Sequence, residues 1–168
     1  MDDERTQLQR AKHPRTILAG PYGHPFHGIL VTVPIGSWIA AIIFDIVALL
    51  VTDQSAFAVG ARTLIAIGIV GALVAAVVGF IDLTGIQTGT RARRIALRHM
   101  IANLTAVVVF VISFLIRTSA GNNFSVTGFV VAIIGIAIIA FSGFLGGELV
   151  YRYGVRVADE ETQERGYR

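Results

Sequence analysis

Cysteine is absent from this 168-residue sequence. That removes disulfides, thiolate metal sites, iron–sulfur ligation and cysteine nucleophiles from consideration. No nucleophile–base pairing, phosphate-binding glycine loop or HExxH-like metal motif is present either. The first 22 residues are polar and charged, with no short apolar stretch leading to a small-residue cleavage site. A removable signal peptide is therefore not expected, and the first apolar segment is expected to stay in the mature protein. Two-residue alternation is missing from the apolar runs, and the runs are too long for strands, which excludes a β-barrel reading.

What is present is apolar sequence in long blocks. Hydrophobic residues make up 54% of the chain and the mean hydropathy is +0.71, too apolar for an ordinary soluble domain. Four segments reach the roughly 20 residues that a helix needs to cross a hydrocarbon core of about 30 Å. They run over 28–51, 58–82, 95–116 and 126–151. The expected fold class is all-α, an integral membrane four-helix bundle. A four-helix transmembrane domain over 23–152 would be flanked by a polar segment at 1–22 and a polar tail at 153–168.

Twelve of the 14 basic residues lie before the first span, between the second and third, or after the fourth. Only Arg62 and Arg117 fall on the other side. The positive-inside rule then puts both termini in the cytoplasm, in a multi-pass chain. The basic rim would draw anionic lipid headgroups, by about 1 kcal/mol per residue. This accounts for the high isoelectric point without nucleic acid.

Small residues recur at spacing four in the second span (Gly68, Ala72, Ala76; Gly71, Ala75, Gly79) and in the fourth, where Gly143 and Gly147 form a GxxxG pattern. In lipid, close approach at small residues holds helices together. The second and fourth spans are therefore expected at the tight centre of the bundle, or the GxxxG face makes a homodimer. Pro34 should kink or loosen the first span.

Polar groups in spans are costly and informative. His24, His27, Asp82, His99, Asn103 and Glu148 all fall at the cytoplasmic end of their spans. Pro25 suits a first helical turn, with His24 as the cap. Each hairpin opens with a histidine, His27 or His99, and closes with an acid, Asp82 or Glu148, as a duplication about an axis along the membrane normal would leave. Facing imidazoles at His24, His27 and His99, with Asn103, could ligate haem b, and Arg91, Arg93, Arg94 and Arg98 would neutralise its propionates. The histidines with Asp82 and Glu148 could instead hold a divalent metal, or handle protons. The bland reading has the same groups capping helices at the headgroup level. Asp45, on the outer half, would cost about 2.5–3.5 kcal/mol unpaired. Arg62 is its expected partner, about 27 Å from the inner cluster.

The stretches HPFHGILVTVPIGSWIAAIIFD, GFID, RHMIAN and GGELVYRYGVRV, over about residues 20–157, resemble the domain of unknown function 2231 family of bacterial membrane proteins. The resemblance implies a four-helix membrane domain. Some relatives carry it fused to a Rieske-type iron–sulfur domain, which implies a redox membrane partner. The alternative is a non-catalytic membrane subunit or scaffold. No enzymatic activity of its own is implied.

Overall fold

The computed structural model describes residues 8–13, 16–20 and 23–168. Arg5 and Arg15 of the basic rim lie outside the described residues. Four helices, Phe26–Leu50, Ser55–Thr84, Arg91–Ser119 and Val126–Arg152, are long and apolar enough to cross a membrane. They make the chain a multi-pass membrane protein. Each carries large apolar side chains outward, such as Val70, Val77, Phe80, Val108 and Phe144, because lipid is as good a solvent for them as a protein core.

The spans run longer than their apolar stretches. The third begins at Arg91, where the Thr90 hydroxyl caps the helix by accepting from the Arg93 N–H. Here the helix continues through the basic residues rather than stopping at the apolar boundary. The first span divides into Phe26–Leu30 and Thr32–Leu50. The break falls just ahead of Pro34, which has no N–H to offer the preceding turn. Phe26–Leu30 has Pro25 at its cap position and no side-chain cap bond, so His24 stands outside the helix. The fourth span ends in a wider π-turn, Glu148–Arg152.

Each hairpin pairs its own two spans, and the second span also packs on the third and the first on the fourth. The first and third spans therefore lie across the bundle from one another. They meet through long side chains along a line of buried positions alternating by four and three: Pro34, Trp38, Ala41 and Asp45 on one, Ala106, Phe110, Ser113 and Arg117 on the other. The two sets differ by a constant 72 positions. Equivalent residues also touch. Trp38 stacks on Phe110, with ring centroids 3.9 Å apart and planes 11° from parallel. His27 faces His99 at 6.3 Å, and Asp45 meets Arg117. The second and fourth spans repeat with an offset of 67, in Gly68 and Gly135, Ala75 and Ser142, Gly79 and Gly146. The bundle is two parallel helical hairpins related by a pseudo-twofold axis running along it.

The glycines serve this axis rather than a contact between the second and fourth spans, which do not pack closely. A Cβ on Gly68 would lie 2.2 Å from Trp38 Nε1, and one on Gly135 would lie 2.7 Å from Phe110 Cε2. Gly79 and Gly146 stand in the same way against His27 and His99. The space a missing side chain leaves is filled by an aromatic ring from the neighbouring span. Within this chain Gly143 faces open space, so half of the GxxxG pattern takes no part in packing the bundle.

Asp45 has a partner other than the one expected. Arg117 grips it in a fork, Nη1 to Oδ1 and Nη2 to Oδ2, both at 2.6 Å, with the side chains 4% and 0% exposed. Arg117 Nε donates to Ser113 Oγ at 3.2 Å, and that hydroxyl donates to the Gly128 carbonyl at 2.7 Å. Arg62 instead donates to the Gly121 carbonyl in the opposite hairpin's loop, at 2.7 Å. Position on the axis decides the pairing: Arg117 is the twofold equivalent of Asp45, whereas Arg62 sits on a span that flanks it.

Gly68→Ala should lower stability by about 1–3 kcal/mol, because the buried Trp38 ring cannot retreat from the Phe110 stack. Gly143→Ala should be neutral. Thermal unfolding of both variants in one detergent checks the contrast.

Candidate functional site

Two imidazoles meet at the end of the bundle that carries the chain termini. His27 stands on the first turn of the first span, and its Nδ1 is 2.9 Å from the Ala75 carbonyl on the second. His99 stands on the third span, its Nδ1 2.8 Å from the Ser142 carbonyl on the fourth. A carbonyl only accepts, so both rings donate from Nδ1, which leaves the Nε2 lone pair available in the neutral form. Ala75 and Ser142 are twofold equivalents, so both rings are oriented in the same way. The ring planes cross at 88°.

The twofold symmetry breaks at one side chain. Asn103 Nδ2 lies 3.1 Å from His99 Nε2 and 3.0 Å from the His99 carbonyl. The equivalent position in the first span is Val31, which offers no such donor. Ser142 Oγ donates to the His99 carbonyl at 3.2 Å and lies 2.9 Å from His99 Nδ1. His99 is thus held on both ring nitrogens, whereas His27 is held on one by the contacts described.

The structure brings together His27, His99 and Asn103, and separates the rest of the expected cluster. Asp82 pairs with Arg156, its Oδ1 3.2 Å from Nε. Glu148 pairs with Arg152 one turn on, at 3.3 Å. The His24 carbonyl accepts from Arg156 Nη2 at 3.4 Å. Among the described residues, no three His, Asp or Glu side chains gather closely enough to hold a metal ion. Two of the four central arginines are committed elsewhere: Arg93 donates to the Leu83 and Ile86 carbonyls, and Arg94 to the Gly89 carbonyl.

The polar tail engages Asp82 through Arg156. Arg156 has φ of 63°, and its backbone N–H donates to the Ala11 carbonyl at 3.0 Å. Its guanidinium donates to the Ala19 carbonyl at 2.8 Å. Lys12 reaches Glu160 at 2.7 Å, and Asp159 caps Glu160–Arg165 by accepting from the Thr162 N–H at 2.8 Å. The two terminal segments are clasped across this end of the bundle. None of these contacts had a signal in the apolar pattern. The residues that orient the histidines did have one, in the repeat offsets of 72 and 67.

The clasp should respond to acid. The Thr162 amide holds the Asp159 carboxyl below its usual range, and Lys12 does the same for Glu160. Depressed carboxyls stabilise the clasp above their ordinary values of about 4, and that contribution is lost as pH falls through the folded-state values. Spin labels placed on residues 9 and 163 of this cysteine-free chain should stay close at pH 7 and separate below about pH 4.

No curated protein and no solved structure matches the chain. The family described as predicted membrane protein (DUF2231) matches residues 23–159, from just before His24 to just beyond Arg156. With the four apolar spans and the motifs around His27, Asp82, His99 and Glu148 all inside that match, this chain belongs to the DUF2231 family of membrane proteins.

Proposed function

We propose that the chain is a small redox-associated module of the bacterial inner membrane, with both termini cytoplasmic and His27 and His99 forming a two-imidazole site for haem b or a metal ion. The observation that carries this reading is the 6.3 Å between ring centres on the pseudo-twofold axis. Two imidazoles on opposite sides of one metal ion, bound at about 2.0–2.1 Å each, have centres a little over about 6 Å apart. Ring orientation by a backbone carbonyl at Nδ1 is also how metal-ligating histidines are held. Gly79 and Gly146, packed against the two rings, leave those sides of the site without side chains. A haem there would exchange single electrons with a redox partner in the membrane. Asp82 and Glu148, paired with arginines, tune the charge of this end rather than ligate.

A second reading rests on Asn103. Its amide already occupies the His99 Nε2 lone pair at 3.1 Å, as expected of a non-catalytic scaffold in which the histidines clamp adjacent spans. The interaction surface is then lipid, anionic headgroups at the basic rim, or a membrane partner.

A visible spectrum of detergent-purified protein, oxidised and dithionite-reduced, with metal analysis, separates the two. The redox reading expects a Soret band with sharpened reduced bands, or one metal ion per chain, lost in both His27→Ala and His99→Ala. Neither signal after haem and metal reconstitution sinks it and leaves the scaffold. The histidine variants should then cost only about 1–2 kcal/mol in unfolding, the worth of an interhelical hydrogen bond.

Orientation is tested apart from the cofactor. Single cysteines replacing Asn122 and Thr88 should differ in intact cells. A membrane-impermeant maleimide should label the first and spare the second, as twelve basic residues on one side require. The reverse pattern would overturn the assignment.

A further inference from the structure

Asp45 and Arg117 occupy one position of the repeat, carry opposite charge, and meet on the axis that relates the two hairpins. We infer that this pair selects the partner of each hairpin: it admits the second hairpin of the chain against the first and rejects a second copy of the same hairpin. A parallel duplication creates this need. Two hairpins with the same glycine and aromatic pattern present nearly the same face. In lipid, where close packing rather than water expulsion drives association, the first hairpin of one copy could pair with the first hairpin of another.

Charge makes the wrong pairings expensive. Two copies of the first hairpin would put Asp45 against Asp45 at the depth where the bundle excludes water, and two copies of the second would put Arg117 against Arg117. Like charges without water between them cost far more than at a surface. Shape acts in the same direction. Trp38 faces Phe110, so pairing like with like gives either two indoles or two phenyl rings in a space built for one of each. The small residues nearest the ion pair fit the heterotypic arrangement as well. A Cβ on Gly128 would lie 2.7 Å from Arg117 Cγ, and Ser113, the repeat equivalent of Ala41, supplies the hydroxyl that Arg117 Nε needs.

A selector differs from a mere brace in what its replacement does. A buried ion pair exchanged for apolar residues of similar volume is often neutral in stability, whereas one partner left alone is costly. The twofold adds a sharper expectation: exchanged charges should still meet on the axis, although an arginine at position 45 would lack the hydroxyl and the space that Ser113 and Gly128 give Arg117.

Four full-length variants test this in detergent, by unfolding midpoint and by mass from light scattering. Asp45→Arg and Arg117→Asp each create a like-charged pair and should lower the midpoint by roughly 10 °C. The exchange Asp45→Arg with Arg117→Asp should recover at least half of that loss. Asp45→Leu with Arg117→Leu should keep the midpoint within a few degrees but add larger masses, as hairpins pair between copies. An exchange variant no better than the single variants overturns the proposal, as does a single variant that unfolds like the parent. A leucine pair with the parent's mass distribution also overturns it. So does a leucine pair that fails to fold, because the charges would then be holding the bundle rather than choosing its partner.

Discussion

A guanidinium and a carboxylate sealed from water inside a membrane bundle must satisfy one another, and the architecture around Asp45 and Arg117 follows from that demand. The fork between them uses both carboxylate oxygens and two of the guanidinium nitrogens. Ser113 Oγ accepts from the third nitrogen and donates a hydrogen bond to the Gly128 carbonyl of the fourth span. Three of the four spans are thereby fixed at one depth. The register of the first span against the third cannot slip by a turn without leaving a charge alone in hydrocarbon, at several kcal/mol.

Once that register is set, the other axial pairs fall into place by helical spacing. Seven residues toward the terminal end, Trp38 meets Phe110, and eleven further residues along, His27 meets His99. The flanking spans answer each of these side chains with a glycine or a carbonyl: Gly68 and Gly135 for the aromatic stack, Ala75 and Ser142 for the imidazoles. The interior is thus a ladder of paired side chains, each rung bringing one residue from each half of a duplicated sequence. Beside it lies an ordinary apolar cluster of Leu83, Ile86, Ile95, Leu145 and Leu149, while many large apolar side chains are left to lipid.

Much of this was readable before any coordinates. The spans announce themselves as apolar runs, and His27 and His99 open their hairpins in matching positions. Arg62 lies nearer to Asp45 in sequence and at a similar depth, which hides the pairing with Arg117. The sequence does hold the better clue, a constant separation of 72 that links Asp45 to Arg117 as it links His27 to His99. It is hard to see because the decisive pair, Asp45 and Arg117, differs in charge and shape. The arginine pairings of Asp82 and Glu148 are hidden for a different reason. Their arginine partners, Arg156 and Arg152, come from the end of the fourth span and from a tail whose folded course has no periodicity to betray it.

The stack of Trp38 on Phe110 has a bearing on traffic through the membrane. Two aromatic faces 3.9 Å apart leave no passage between them even for water, and the ion pair beyond them spends its charges on itself. The axis of this bundle is a stopper, not a conduit. The histidines lie on the terminal side of that stack, away from the ion pair. For the redox site proposed above, a closed axis of this kind fits electron exchange along the membrane rather than passage across it.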